Sequence, residues 1–325
     1  MSIGVVGYSV PSGIGYICRG IAVKLGATLW LSPKHTLHGH GALAPSGCRL
    51  IEWNDFDESS PNLFAACFAD IRVLVSVEDG WHRQMFPVAK AMGVRTVLIV
   101  MPEWFNPTKE WTKHVDLFIA STKLALQCLI DYGLGHRTCY VPMPLLLDDF
   151  PFRQLTRAER FVFSEGHTNE RKGIACVDAA NAALGGLIEK RNQDTGPLAL
   201  ASDLWSDADV VVQPSHWEGV GLCLLEAMAS GCMLLTTDAL PMCAYVEEAY
   251  GRLANNALIP CELTTRQLGA PSPWPEAVPN ASALADMIGA IRHSDISEYS
   301  CLGRDYVEEY HGDRQWEHLR QLIVG

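Results

Sequence analysis

The chain has no apolar run approaching the ~20 residues that a membrane-spanning helix requires, which argues against stable membrane insertion. Its start, "MSIGVVGYSV", lacks the basic segment and small-residue cleavage site of a secretory leader and reads as a first strand. Eleven cysteines are an odd number, and no two of them form a C-x-x-C pair. Cys18, Cys67, Cys128 and Cys176 sit in apolar contexts, so the expectation is buried thiols in a reducing cytoplasm. Positive charge is scarce. With 25 Lys and Arg against 37 Asp and Glu, the net charge of -12 counts against a broad nucleic-acid or anionic-membrane surface. It does not exclude a local basic patch, or a nucleic acid as acceptor of a reaction. No short-period repeat and no low-complexity tract occurs.

What the chain does have is alternation. Short β-branched runs, "IGVVGY", "ATLWLS", "CRLIEW", "RVLVSV", "RTVLIV", "LFIAS" and "TCYVP", fill the first half, with helical segments such as "QMFPVAKAMG" and "TKLALQCLIDYG" between them. Strands alternating with helices predict an α/β fold with parallel sheets and right-handed crossovers. The pattern restarts after "PMPLLLDDFPFRQLTRAER" with "RFVFSEG", "GIACVDAANAALG", strands near 186 to 202, "ADVVVQPS" and "CMLLTT". Two similar halves joined near residue 152 follow. The Pro-rich segment 255 to 281 reads as a surface loop, and the last segment as helix with a break at Gly312.

The most informative stretch is "DADVVVQPSHWEGVGLCLLEAMASGC". A buried parallel strand leads into a Gly-rich turn and then a helix beginning at about Gly221. In an open α/β sheet, ligands bind at that carboxyl edge. Glycine lets the backbone approach a ligand, and the free N–H groups of a helix start suit a phosphate. Glu218 precedes this anion site and Glu226 follows it, with seven residues between them. Along a helical rise the two carboxylates lie on the order of 10 Å apart. That spacing fits hydroxyl-bearing groups on either side of a phosphate, the layout of a nucleotide sugar.

The same residues carry a resemblance. "PSHWEGVGLCLLEAMASGCMLLTTD" resembles the E-x7-E signature of retaining GT-B glycosyltransferases of the family 4 type. "GYSVPSGIGYICRGIAVKLG", "VDLFIASTKLALQCLIDYG", "FVFSEGHTNERKG" and "TTDALPMCAYV" resemble further segments of that family in the same order. The resemblance implies two Rossmann-like doubly wound domains facing a central cleft: residues 1–152 on the acceptor side, 153–298 binding the nucleotide sugar, and a terminal helix at 299–325 crossing back. It implies transfer of a hexose-type sugar from a UDP- or GDP-linked donor to an unidentified acceptor, with retention, without a metal, and with no cofactor beyond the donor. Donor contacts fall on Gly13, Gly15, Gly166, His167, Arg171, Lys172, Glu218, Gly219, Val220, Gly221, Leu222 and Glu226. Glu218 is placed on sugar hydroxyls and Glu226 on the ribose. Arg171 and Lys172 are placed on the diphosphate, whose charge grows as the sugar leaves. Arg171, Lys172 and Glu218 are the catalytic set.

The chain departs from the family at two positions. His167 stands where many members carry arginine, and Ala244 where close relatives often carry glutamate. A non-catalytic nucleotide-sugar-binding relative is therefore one rival reading. A glycoside hydrolase using Glu218 and Glu226 is another, although its carboxyls belong ~5 Å apart, or ~6.5–9.5 Å in an inverting pair. The Gly13-x-Gly15 loop lacks the third glycine of a dinucleotide fingerprint, with Cys18 in its place. It reads either as a cleft-facing loop or as a plain tight turn. His35, His38 and His40 form a cluster without accompanying carboxylate or cysteine ligands, which suits an acceptor-side loop better than a metal site. His82, at the end of "RVLVSV", is open between a substrate contact and a surface histidine. A modified DNA base, as in a phage-type enzyme, is one acceptor compatible with the short chain.

Overall fold

The computed structural model describes residues 2–33, 43–53, 60–165, 170–191, 201–268 and 274–325. The chain divides into two units. One comprises Met1–Leu145, Leu268–Ser272 and Asp313–Gly325, and the other Leu146–Gln267 and Pro273–Gly312.

All seven strand runs expected in the first half form strands: β1 (Ile3–Val6), β2 (Leu29–Pro33), β3 (Arg49–Trp53), β4 (Val73–Glu78), β5 (Arg95–Val100), β6 (Leu117–Ala120) and β7 (Thr138–Tyr140). They pair in parallel in the order β3-β2-β1-β4-β5-β6-β7. The mostly apolar character of β1, β4 and β5 follows from burial on both faces of the sheet. Crossovers run through α1 (Gly13–Leu25), α2 (Ser60–Phe68), α3 (Met85–Ala91) and α4 (Lys123–Asp131). Ser12 caps α1 by accepting from the Gly15 N–H at 3.1 Å, and Thr122 caps α4 by accepting from Ala125 at 3.0 Å. Gly15 is required by space, because a Cβ there would run into the Val10 and Tyr8 carbonyl oxygens and Leu43.

The second sheet contains β8 (Phe161–Ser164), β9 (Ile188–Arg191), β10 (Val210–Gln213), β11 (Met233–Thr237) and β12 (Leu258–Ile259), all parallel, in the order β12-β11-β10-β8-β9. Its helices are α5 (Ile174–Ala183), α6 (Leu222–Ala229), α7 (Met242–Tyr250), α8 (Ala281–Ile291) and α9 (Ser297–His311). The segment expected as a loop, 255 to 281, instead holds β12 and an antiparallel hairpin of β13 (Cys261–Arg266) and β14 (Trp274–Pro279). Proline misled that expectation. Pro275 and Pro279 sit in a two-stranded ribbon with no further strand beyond β14 among the described residues, where a missing N–H costs little. Trp274 and Ala277 turn inward, while Leu263 on the facing strand is 70% exposed, so the ribbon shows no clean alternation.

Gly312 breaks the terminal helix as expected, and α10 (Asp313–Val324) follows it. This helix packs within the first unit. The Trp316 ring lies so close to Gly20 of α1 that a Cβ there would collide with it. Its indole N–H donates to the Leu145 carbonyl at 2.9 Å, and Lys24 pairs with Asp313 at 2.5 Å. All eleven cysteines are free thiols. Cys18, Cys67 and Cys176 are buried as expected, while Cys128 is only half-buried. No described helix is long and apolar enough to cross a membrane.

Candidate functional site

Strand order places the site. In the second sheet the winding direction reverses between β8 and β10, the arrangement in which two crossover connections diverge and leave a crevice at the carboxyl ends of the strands. The loop after β8 ends in the 3-10 turn Glu170–Lys172, and the loop after β10 is Pro214–Gly221. The two loops touch backbone to backbone. Gly173, at φ +79°, lies against the Pro214 carbonyl, which leaves no room for a Cβ. The His216 N–H donates to the Arg171 carbonyl at 2.7 Å. Further anchors hold the second loop: Thr237 Oγ1 donates to the Ser215 carbonyl at 2.7 Å, and the Tyr245 hydroxyl to the Val220 carbonyl at 2.6 Å. Gly221 adopts the left-handed conformation (φ 76°, ψ 47°) and starts α6 without any side-chain cap.

These contacts converge on Glu218, which is only 3% exposed. Lys172 Nζ donates to its Oε1 at 2.6 Å, Ser215 Oγ donates to the same oxygen at 2.7 Å, and Arg171 Nη1 stands 3.7 Å from Oε2. Burial opposes ionisation of Glu218. The Lys172 and Arg171 charges and the hydrogen bonds from Lys172 and Ser215 outweigh it, so its carboxyl titrates below the ordinary range. For Lys172, burial pulls downward, but Cys223 and Glu218 together lift it above the ordinary lysine value. Burial also pushes the Cys223 thiol up to about 11, so at neutral pH it is protonated and the Glu218 carboxylate supplies the attraction. Lys172 Nζ lies 3.6 Å from Cys223 Sγ.

Glu226 is 5% exposed, on α6. Burial raises its pKa to about 7, because the nearby countercharge is insufficient. The Trp205 indole and Lys172 favour the ionised form and Asp149 opposes it, while the Trp205 N–H makes no hydrogen bond of normal geometry. The two glutamates thus occupy opposite regimes, one held ionised and the other poised near neutrality.

Of the expected donor residues, Arg171, Lys172, Glu218, Gly219, Val220, Gly221, Leu222 and Glu226 lie along these two loops and α6. Gly166 and His167 lie outside the described residues, as do His35, His38 and His40. Gly13 and Gly15 belong to the first unit, where they form the first turn of α1 beyond β1. His82 follows β4, the strand beside β1 across that sheet's own reversal of order. Its ring packs edge-on to Phe64 at 5.3 Å, and its Nδ1 accepts from the Gln84 N–H at 3.1 Å. The turn before it is strained, with Glu78 at φ 77° and Trp81 at φ 53°. Sequence reasoning missed Ser215, Cys223 and Tyr245. Ser215 is adjacent to the motif and so was within reach. Tyr245 and Cys223 become partners only through the packing of α7 and the β8 loop.

Residues 199–263 match the family model described as glycosyl transferases group 1. That segment contains β10, both glutamates and β11. No curated protein sequence matches the chain significantly. Among solved structures, the chain is similar to sucrose-phosphate synthase from Thermosynechococcus elongatus, at 15% identity and a TM-score of 0.67, covering 100% of this chain and 98% of that one. HepE from Anabaena in complex with UDP and glucose is similar at 14% identity and a TM-score of 0.67, with coverage of 100% and 98%. A glycosyltransferase from Rickettsia africae gives 13% and 0.66, with coverage of 99% and 98%. Two Rossmann-like parallel sheets and these neighbours establish the GT-B fold, and the second unit contains the segment that matches the glycosyl transferases group 1 model.

Proposed function

We propose that the protein is a retaining glycosyltransferase that moves a hexose-type sugar from a UDP- or GDP-linked donor to an acceptor. The observation that carries this reading is Glu218, buried at the order reversal of the second sheet and held by Lys172 and Arg171, inside the segment that matches the glycosyl transferases group 1 family. The similar HepE has been solved with UDP and glucose and with UDP-glucose, which supports a nucleotide sugar as ligand. Retention rests on the E-x7-E resemblance.

In this reading the two cations serve two partners. An ammonium has three N–H donors. Lys172 directs one to Glu218 and one toward Cys223, which leaves a third for a diphosphate oxygen. As the sugar–phosphate bond lengthens, negative charge accumulates on the diphosphate, and Lys172, Arg171 and the uncapped start of α6 stabilise it. Glu218, kept ionised, accepts from donor sugar hydroxyls. Glu226 accepts from the ribose, which favours loss of its proton. Transfer so described needs no metal.

A panel of UDP- and GDP-sugars, screened by thermal shift and then incubated with acceptor mixtures, tests this. The expected result is nucleotide release with a new glycoside whose anomeric configuration, read from proton couplings, matches the donor. Binding without turnover of any acceptor would instead make the chain a non-catalytic relative. One observation favours a second reading: two carboxyls with divergent pKa values also mark glycoside hydrolases. Cleavage of a plain aryl glycoside in the absence of nucleotide is the outcome that would select it.

A further inference from the structure

A second group of chemically able side chains lies on the second unit, outside the residues used above. Asp238 follows β11, and Cys243 and Glu247 stand on α7. One ligand atom from each, a carboxylate oxygen, a sulfur and a carboxylate oxygen, lies within 4.8 Å of the others. We propose that Asp238, Cys243 and Glu247 bind a divalent cation of the zinc class.

The local structure explains why the three meet. Cys243 and Glu247 are four residues apart on one helix and so share a face. Asp238 is fixed from both sides: its N–H donates to the Ile259 carbonyl at 2.9 Å, and its own carbonyl accepts from Cys261 Sγ at 3.3 Å. A turn continuous with the helix then brings it over the first turns of α7. Cys243 is 9% exposed, and its sulfur accepts from the backbone N–H groups of Cys243 and Ala244. Among the described residues, neither the Asp238 nor the Glu247 carboxylate has a hydrogen-bond or ion-pair partner. Two carboxylates and a buried sulfur thus converge, and among the described residues no cation pairs with either carboxylate.

Metal chemistry selects the class of ion. Zinc takes sulfur at about 2.3 Å and carboxylate oxygen at about 2.0–2.2 Å, so bound ligand atoms lie roughly 3.5 Å apart. Closing from within 4.8 Å requires side-chain rotation of about an ångström. The thiolate selects a borderline ion over Mg²⁺ or Ca²⁺, and three protein ligands leave a coordination position for water. Binding replaces the S–H bond by a metal–sulfur bond and releases the proton to solvent, so the cluster's formal charge passes from −2 to −1. Tyr245, between the two helical ligands, holds the Val220 carbonyl. A cation that ties α7 to the end of β11 therefore also steadies the loop carrying Glu218.

The test uses the full chain, stripped with a chelator, in a phosphine reductant. Zinc titration should show one tight ion per chain, and cobalt substitution should give a near-ultraviolet thiolate-to-cobalt band. Asp238→Asn and Cys243→Ser should each weaken zinc by at least the roughly 10–100-fold that loss of even an outer-shell partner costs. Cys48→Ser, in the first unit, should leave zinc binding unchanged. Because Asp238 is exposed, its variant tests the site even where Cys243→Ser fails to fold. Wild-type zinc affinity in Asp238→Asn, absence of the cobalt band, or displacement of zinc by equimolar Mg²⁺ would each overturn the proposal.

Discussion

Glu218 and Glu226 differ in what their burial costs, and the difference is measurable. Glu226 has its pKa raised from the ordinary 4.5 to about 7, so the folded state holds a proton that the unfolded chain releases. Stability from this group is fully present below pH 4.5 and is lost as pH rises to about 7 and beyond. Glu226→Gln should abolish that fall and stabilise the protein at pH 8 by up to about 3 kcal/mol, read from urea midpoints across pH. Under the proposed ribose role, the wild type should bind nucleotide more tightly as pH rises through 7, and Glu226→Gln should lose both the rise and the affinity. Calorimetry showing unchanged nucleotide affinity in Glu226→Gln would remove the ribose role. Glu218 behaves oppositely. Its lowered pKa contributes stability above the ordinary carboxyl range that is lost as pH falls through its folded value. Lys172→Ala leaves that carboxylate buried with Arg171 as its nearest cation and the Ser215 hydroxyl as its hydrogen-bond donor, at a cost of about 3–5 kcal/mol. Adding Glu218→Gln should recover part of this loss, and a double-mutant cycle measures the coupling. Turnover of Lys172→Ala at saturating donor should fall more than donor affinity does.

At the scale of elements, glycines separate space that is required from space that is merely tolerated. Gly173→Ala would put a Cβ into the Pro214 carbonyl at a positive φ, separating the two loops that hold Glu218. We expect a loss of at least about 1–3 kcal/mol together with loss of nucleotide binding. Gly289, exposed in the last turn of α8, has nothing within 4 Å of a built Cβ and an ordinary helical backbone. Gly289→Ala should therefore stabilise by about 0.4–1 kcal/mol, chiefly by restricting the unfolded chain. Thermal melts of the two variants should move in opposite directions. A melt of Gly289→Ala at or below that of the wild type would show that the helix is limited by something other than backbone entropy.

For the whole molecule, the chain leaves the first unit at Leu145–Leu146, belongs to it again at Leu268–Ser272, and returns to it for its last segment at Gly312–Asp313. The last helix is thus a structural member of the first unit. Trp316→Ala removes an indole buried against Gly20 and hydrogen-bonded to Leu145, at a cost of about 3–5 kcal/mol. Hydrogen exchange should quicken in α1 and its sheet while the amides of β10 and β11 keep their protection. Nucleotide should give the complementary pattern, protecting residues 170–173 and 214–226 and raising the stability of the second unit by mass action.

The fold was legible because burial on both faces of a parallel sheet leaves short, mostly apolar runs in the sequence, as in β4 and β10, alternating with helical segments. The hairpin of β13 and β14 was not legible, since a two-stranded ribbon with no further described strand beyond it accepts proline and demands little alternation. Of the candidate site, the motif around Glu218 and Glu226 lies within one strand–turn–helix, so it could be picked out from the sequence by that pattern together with its family resemblance. Only the tertiary structure decided its electrostatics. Lys172 reaches Glu218 across 46 positions because the order reversal at β8 and β10 brings two loops together, and Asp238, Cys243 and Glu247 converge through the turn from β11 to α7. A sequence records which groups carry charge; which charges neutralise one another depends on distances and burial that exist only after the sheet has ordered its strands.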